Sequence, residues 1–569
     1  MTTKTGGQAV VDALRQQGVE CVFGLIGSAT MEMFDALFDA SDIRFIGVRD
    51  ERTGTHMADG YARASGKAGV ILAGQNGPGV TNLVTGIAQA RAAYSPVVAL
   101  AGSLSTGHVY RDAFQEVDQQ SLFQPITKKT WTVTQTARLP EMVREAFRTA
   151  LAPRRGPVVL NLPRDILADT LEDAGEPPAS VFEAQGYAAG APAGIEAALK
   201  LLAAAERPLI IAGGGVKNAG AHAQALRLAE AVNAPVAMSP GHGDAIPFGH
   251  PLNAGQVGPR GNAVASGLAR EADVIVALGT RLGFNTTFYS YDNINKAAKI
   301  IQVEAEPTAI GRFFPAEVGI LGDAGSVADA LASEVEAMRS NSVKERTAEW
   351  TSGFQARYAT FLAEREAGID MTAPGVIQPA QVYKAMRAAF PEDAMVTLDA
   401  GTLCLQATDA LNYHRPPALF SPLDFGLVGF SYACGLGIKA ACPDRTVISL
   451  MGDGGFGMTT SEIGTAVSNG LNTVAVVMNN GCWGAEKAYQ KDFFGQRYIG
   501  ADVVNPPYDK LAELWGAKGF RVEKASEIEN ALTDAIACGA PAVVEIAVDP
   551  DALYSFRRDS FQHRAGNDK

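Results

Sequence analysis

The stretch Ser449-Leu450-Met451-Gly452-Asp453-Gly454-Gly455-Phe456-Gly457, followed by the pair Asn479-Asn480, decides how the chain is read. Thr446 to Met451 is a short apolar run stopped by glycines, which predicts a buried strand. Thr459 and Glu462 have the spacing of a capping box and predict a helix start. Ile463, Ala466 and Val467 continue an apolar face, and Gly470 suits its end. Thr473 to Met478 predicts a second strand that stops at the two asparagines. The unit is strand, glycine turn, helix, strand: a right-handed parallel crossover.

Two ligand readings compete for this unit. Gly452, Gly454 and Gly457 match the dinucleotide fingerprint G-x-G-x-x-G after a strand. Against it, Asp453 puts an anion where a pyrophosphate would lie, and Asn479-Asn480 stand where the ribose-binding motif wants a carboxylate. A divalent cation removes both objections. Asp453 and Asn480, at the carboxyl ends of neighbouring strands, offer the hard oxygen ligands that Mg²⁺ selects. The glycines then let backbone N–H groups approach a diphosphate.

This Gly-Asp-Gly stretch, with 27 residues from acid to amide, resembles the thiamine diphosphate (ThDP) enzymes. The resemblance implies that Asp453, Asn480 and the backbone carbonyl of Cys482 are the metal ligands, and that Gly452, Gly454 and Gly455 line the diphosphate. It widens to the whole chain, in the acetolactate synthase branch of that family. Val22-Phe23-Gly24, Glu51, Ala58-Asp59-Gly60-Tyr61-Ala62-Arg63, Asn76-Gly77-Pro78-Gly79 and Ala113-Phe114-Gln115-Glu116 stand where that branch has such residues.

The totals agree with a large globular enzyme. Of 569 residues, 47% are hydrophobic and 19% charged, as expected where much sheet is buried. Net charge is −13 with no long basic run, so nucleic acid and anionic membranes are poor partners. The six cysteines (21, 404, 434, 442, 482 and 538) form no C-x-x-C, which suggests reduced thiols and a cytoplasmic home. Met1 to Gly7 lacks the apolar core of a signal peptide, and no apolar run approaches the ~20 residues of a membrane span.

In chain order, residues 8–17 predict a helix, Cys21 to Phe23 a strand, and Arg44 to Val48 another strand that ends at Asp50-Glu51. A helix carrying His56, Met57, Ala58 and Tyr61 follows, then strands at Gly69 to Ala73 and Val97 to Ala101. Strands alternating with helices predict an α/β protein with parallel sheets covered on both faces. A linker is expected near 170–193, and a charged helical stretch over about 326–366 leads to a last domain beginning near Gln378. In Pro208 to Gly215 the Gly213-Gly214-Gly215 triplet lacks the fingerprint spacing and predicts tight strand-to-helix packing. The expectation is three doubly wound parallel-sheet domains: pyrimidine-binding (1–170), middle (194–350) and pyrophosphate-binding (375–569). The first and last could be versions of one unit, though no letter-by-letter repeat shows.

Glu51, at a strand end where open α/β sheets bind ligands, is a candidate proton-relay carboxylate, or else a charge favouring its helix N-terminus. The resemblance implies that it hydrogen-bonds the cofactor's pyrimidine nitrogen, where burial would raise its pKa. It further implies cofactor contacts at Asn76, Ala400, Gly401 and Thr402, and an apolar residue holding the cofactor bent, Val428 or its neighbour Leu427. Glu486 stands six residues after Asn480, where family decarboxylases place a proton-relaying glutamate; a solvated helix carboxylate is the alternative. No His-His pair stands in the first domain; Phe114-Gln115 occupies that region, and Gln115 is taken as catalytic, as in members that pass an acetyl-level unit to an acceptor.

Trp483 to Lys487, Gln75 to Gly79 and Phe556 to Asp559 look most like the sulfoacetaldehyde acetyltransferases of the branch, although Asn479 to Cys482 and Leu427-Val428 depart from their pattern. That implies a small anionic aldehyde and phosphate as reactants, with acetyl phosphate and sulfite as products. Lys487, Arg557, Arg558, Arg111 and His108 are candidates for holding those anions. The resemblance also implies a homodimer or homotetramer with active sites at the subunit interface. An acetolactate-synthase-like carboligase acting on pyruvate, a catalytically silent regulatory ThDP-binding protein and a dinucleotide oxidoreductase are the rival readings. FAD, carried in the middle domain of some acetolactate synthases, has no signature here.

Overall fold

The computed structural model describes residues 3–172, 187–338 and 342–556. Three six-stranded, all-parallel sheets succeed one another along the chain. The first holds Cys21–Leu25, Arg44–Gly47, Gly69–Ala73, Val97–Ser103, Lys129–Thr132 and Val158–Pro163. The last holds Met395–Leu398, Leu419–Phe420, Val447–Gly452, Val474–Asn479, Lys518–Val522 and Ala542–Ala547. Counted in chain order within each sheet, both run 2-1-3-4-6-5. The kinship suspected from the sequence is therefore visible in topology, although the letters do not repeat. The middle sheet, from Pro208–Ala212 to Val318–Leu321, runs 3-2-1-4-5-6, the strand order of dinucleotide-binding folds. Its glycine triplet packs as expected: a Cβ on Gly215 would lie 2.6 Å from Gly279 Cα.

Strands such as Val97–Ser103 and Val474–Asn479 are buried over nearly their whole length, as covering helices on both faces require. In the 2-1-3-4-6-5 order the chain reverses direction between the first and third strands, and ligands favour that switch point. In the last sheet those strands end at Asp399 and at Gly452-Asp453; in the first they lead to Gly27-Ser28 and Gln75-Asn76.

Several local expectations change. Asp453–Gly457 is itself a short helix, and the next helix, Glu462–Asn469, begins without a side-chain cap. Thr459 and Glu462 do not form a capping box: the Glu462 carboxylate instead accepts from Arg49 N, Thr53 Oγ1 and Thr465 Oγ1. A fully buried acid already holding three donors has no reason to fold back on its own helix end. Gly470 does close that helix, at φ +59°. The start of the expected linker, Thr170–Glu172, is a strand antiparallel to Thr3–Thr5, and its end, from Pro192, is already helix. Residues 173–186 of it lie outside the described residues. The charged helical stretch is two helices, Ala324–Ala337 and Ser342–Ala367.

The chain divides into two compact units. One comprises residues 1–185 together with 432–445 and 459–473; the other comprises 186–431, 446–458 and 474–569. Within the first, helix Glu51–Ser65 meets the 432–445 segment backbone to backbone. A Cβ on Gly437 would stand 1.9 Å from Met57 O, and one on Gly60 2.2 Å from Cys434 O. Gly437→Ala is therefore expected to destabilise by about 1–3 kcal/mol, the range for overpacking. Gly353→Ala, on an open helix face with nothing within 4 Å, is expected to stabilise by about 0.5–1 kcal/mol. Denaturation midpoints of the two variants should move in opposite directions from the parent.

Candidate active site

In the last sheet, Val447–Gly452 and Val474–Asn479 are paired with Gly452 opposite Met478, so Asp453 and the Asn479-Asn480 pair emerge side by side. Gly481, at φ +63°, turns the chain back toward Asp453. The terminal amide of Asn480 has one atom 3.0 Å from Asp453 Oδ1 and 3.1 Å from the Cys482 carbonyl oxygen. With the amide oxygen at that point, three oxygens converge. Two arrangements satisfy them: the amide turned so that its NH₂ donates to both neighbours, or a cation among the three. Adjacent ligands of an octahedral Mg²⁺ with bonds of ~2.0–2.1 Å lie about 2.9–3.0 Å apart, close to the two separations made by the Asn480 amide. Asp453 is only 1% exposed, and burial raises its carboxyl above the usual range despite hydrogen bonding from Asn505. An anion so desolvated gains from a cation at Oδ1, whose backbone donor, Asn480 N, is as far as 3.4 Å away. Among the described residues, no group of three His, Cys, Asp or Glu side chains offers a different metal site.

The surrounding glycines divide by what a side chain would meet. A Cβ on Gly454 would lie 2.5 Å from the Trp483 ring, and one on Gly455 3.0 Å from Asp399 Oδ2 and 3.4 Å from Val428 Cγ1. Gly452 and Gly401 have nothing within 4 Å of a Cβ, so a ligand can approach the main chain there. Ala400 and the buried Thr402 flank Gly401. The sequence reading missed the group that organises this rim. Asp399, fully buried, accepts from the backbone N–H of Ala400 at 2.7 Å, Gly429 at 3.0 Å, Phe430 at 3.2 Å and Ser431 at 3.3 Å. It thereby fixes the loop that presents Val428. Burial pushes its carboxyl to about 7 even against these donors. Asn505 and Tyr508, also missed, reach Asp453 from a loop and the start of helix Tyr508–Trp515, 52 and more residues away, a separation no local pattern reports.

In the first unit, Glu51 opens helix Glu51–Ser65 and is 3% exposed. Its Oε2 accepts from Asn82 Nδ2 at 3.0 Å, and its Oε1 lies 2.8 Å from where Gly79 would carry a Cβ, so Gly79 must stay bare. Burial raises the Glu51 carboxyl, opposed by the Asn82 hydrogen bond. Gln75 Cβ would also crowd a Cβ at Gly79, at 3.2 Å; the Gln75 side chain donates to Gln115 Oε1 at 2.5 Å, while Asn76 Nδ2 donates to the Gln115 carbonyl at 3.2 Å. Glu51, Asn76 and Gln115 thus gather at one end of the first sheet. The other candidates do not gather. Glu486 is exposed in the first turn of helix Gly484–Phe493. The Lys487 ammonium is 2.7 Å from Asp502, which raises its pKa and occupies it. His108 and Arg111 are exposed, and Arg557 and Arg558 lie outside the described residues.

Because folding raises the Glu51 carboxyl, the unfolded chain ionises first as pH rises. Stability attributable to the group is complete below its ordinary pKa of ~4.3 and is lost as pH climbs through the folded value. Glu51→Gln, which keeps an acceptor for Asn82, should therefore melt higher than the parent at neutral pH. The difference should vanish toward pH 4, measured as melting temperature of protein freed of small molecules.

Three family matches cover most of the chain. Residues 4–122 match the N-terminal TPP binding domain of thiamine pyrophosphate enzymes, 195–331 the central domain and 399–546 the C-terminal TPP binding domain. A sulfoacetaldehyde acetyltransferase of Alcaligenes xylosoxydans xylosoxydans is 36% identical, over 98% of this chain and 95% of its own. A probable acetolactate synthase large subunit of Methanococcus aeolicus is 34% identical, over 97% and 93%. A sulfoacetaldehyde acetyltransferase of Castellaniella defragrans is likewise 34% identical, over 98% and 95%. The chain belongs to the thiamine pyrophosphate enzymes, and is a ThDP-dependent enzyme of acyl transfer or carbon–carbon bond chemistry.

Proposed function

We propose that this enzyme is a Mg²⁺-requiring acyl transferase that takes a small anionic aldehyde, of the sulfoacetaldehyde type, and phosphate, and releases acetyl phosphate and sulfite. The metal-dependent part of the reading is carried by the Asn480 amide, 3.0 Å from Asp453 Oδ1 and 3.1 Å from the Cys482 carbonyl oxygen, a spacing that suits Mg²⁺. The transferase part is supported by the 36% identical sulfoacetaldehyde acetyltransferase. Asp453, the Asn480 amide and the Cys482 carbonyl would hold the metal. Gly452, Gly454 and Gly455, with Ala400, Gly401 and Thr402, would line the diphosphate, and Val428 would support the bend of the cofactor. Bound, ThDP supplies a carbon nucleophile and an electron sink.

The chain's own residues supply the rest. Glu51 would hydrogen-bond the pyrimidine nitrogen; burial raises its carboxyl, which suits a group that holds and returns a proton. Asn82 orients that carboxyl, and Asn76 would contact the pyrimidine side. Gln115, locked by Gln75 and Asn76, offers a polar amide without an acidic proton. Such a group can bind an acceptor but cannot protonate the acyl carbon, which favours transfer over simple decarboxylation. Glu486 would act as a relay only once substrate reaches its exposed position. We assign the working domains as 1–170, 194–350 and 375–569, and the assembly as a homodimer or homotetramer with interfacial active sites. A cytoplasmic setting agrees with six free cysteines.

An acetolactate-synthase-like carboligase using pyruvate is the second reading, supported by a relative at 34% identity against 36% for the transferase. The two separate in one assay with ThDP and Mg²⁺. Sulfoacetaldehyde and phosphate should yield sulfite and acetyl phosphate, and omitting phosphate should abolish the latter. Acetolactate from pyruvate alone, with no sulfite released from the aldehyde, would reverse the assignment. Glu51→Gln should lower kcat by about 10²-fold or more while still binding ThDP in a fluorescence titration.

A further inference from the structure

The support behind the oxygen trio begins at a residue so far without a role. Glu545, 2% exposed, lies in strand Ala542–Ala547, next to the strand that ends at Asn479. Its carboxylate accepts from Asn479 Nδ2 at 2.7 Å, Tyr508 N at 2.8 Å and Asp509 N at 3.4 Å. An ionised carboxylate can only accept. Asn479 must therefore turn its NH₂ toward Glu545, which leaves its Oδ1 for Gly481 N at 3.0 Å and Asn505 Nδ2 at 3.4 Å. The Asn505 amide is fixed in turn. Its NH₂ donates to Asp453 Oδ2 at 2.6 Å, and its Oδ1 faces the Tyr508 hydroxyl at 2.8 Å. That hydroxyl is also 2.9 Å from the Asp453 carbonyl oxygen.

The polarity of each hydrogen bond thus follows from the one before it. The chain has two ends. At one, Asp453 Oδ2 is engaged, so Oδ1 faces Asn480 and Cys482. At the other, the Gly481 N–H is tied to Asn479, which fixes the left-handed turn that aims the Cys482 carbonyl.

We propose that Glu545 and Asn505 are positioning residues that set the orientation of both Asp453 and the Cys482 carbonyl through this directed run of amides. The inference rests on the reading of the oxygen trio as a divalent-metal site. Glu545→Gln keeps the shape but can present its own NH₂, letting Asn479, and then Asn505, turn over. Asn505→Ala, on a half-buried loop, removes the last link without emptying a core position.

The test titrates Mn²⁺ into the full-length protein with ThDP present and follows free Mn²⁺ by electron paramagnetic resonance. Both variants should bind about 10–100-fold more weakly than the parent, as loss of outer-shell support does elsewhere. Their kcat should recover at saturating metal, a split that general loss of structure would not give. Arg521→Ala is the control. It removes the cation 3.5 Å from Glu545 without touching the amides, and should leave the affinity at the parental value. Failure of the parent itself to bind Mn²⁺ with ThDP would sink the metal reading. A parent that binds while Asn505→Ala binds equally well would sink the relay alone. A Glu545→Gln protein that fails to fold leaves the decision with Asn505→Ala.

Discussion

A carboxylate taken almost wholly out of water needs a counter-charge or a set of donors, and at Asp453 the chain supplies donors unevenly. Asn505 donates to Oδ2 at 2.6 Å, while Oδ1 accepts a longer bond from Asn480 N at 3.4 Å and lies against the Asn480 side-chain amide. Much of the last sheet can be understood as meeting that condition. Parallel pairing with Gly452 opposite Met478 brings the acid and the amides to neighbouring strand tips. The left-handed Gly481 brings a carbonyl round, and bare glycines at 452 and 401 keep the main chain open where anions would lie. A cation held by Asp453 would offset the charge of that buried acid and of a diphosphate together, which neither backbone amides nor a lysine on a flexible stem does as compactly.

The same problem recurs at Glu51 and Asp399 and is solved differently. Glu51 has one side-chain donor and its carboxyl is raised by burial, the state suited to a group that must both hold and release a proton. Asp399 collects backbone N–H groups from two segments, tying the end of one strand to the loop of Val428. Three buried carboxyls, in three kinds of company, are therefore suited to metal binding, proton handling and loop fixation.

What could be read from the letters follows from the range of the forces involved. Strand and helix alternation, the glycine turn and the spacing of Asp453 and Asn480 are local, and the fold class follows from them. Thr459 and Glu462 show the opposite. Their spacing suits a cap, but Glu462 spends its oxygens on Thr53 and Arg49, more than four hundred residues earlier. Lys487 looked like a cation near the active-site loop, yet it belongs to Asp502. Asp399 stands in no motif of the sequence, and Asn505 sits in a plain Asn-Pro-Pro. Their importance lies in partners that sequence distance hides. The equal strand order of the first and last sheets is a further case, since topology can persist after the letters have drifted.

One consequence concerns synthesis of the chain. Helix Glu51–Ser65 leaves the ribosome early, but its close neighbour around Gly437 and the Glu462 bond to Thr53 come from far downstream; the latter pair is 409 residues apart. At translation rates of ~5–20 residues per second, the helix waits roughly 20–80 s for that cover. During that interval the helix face around Met57 and Gly60 is without its partner. It is an opportunity for chaperones and a hazard for polysome aggregation that a contiguous domain would not meet.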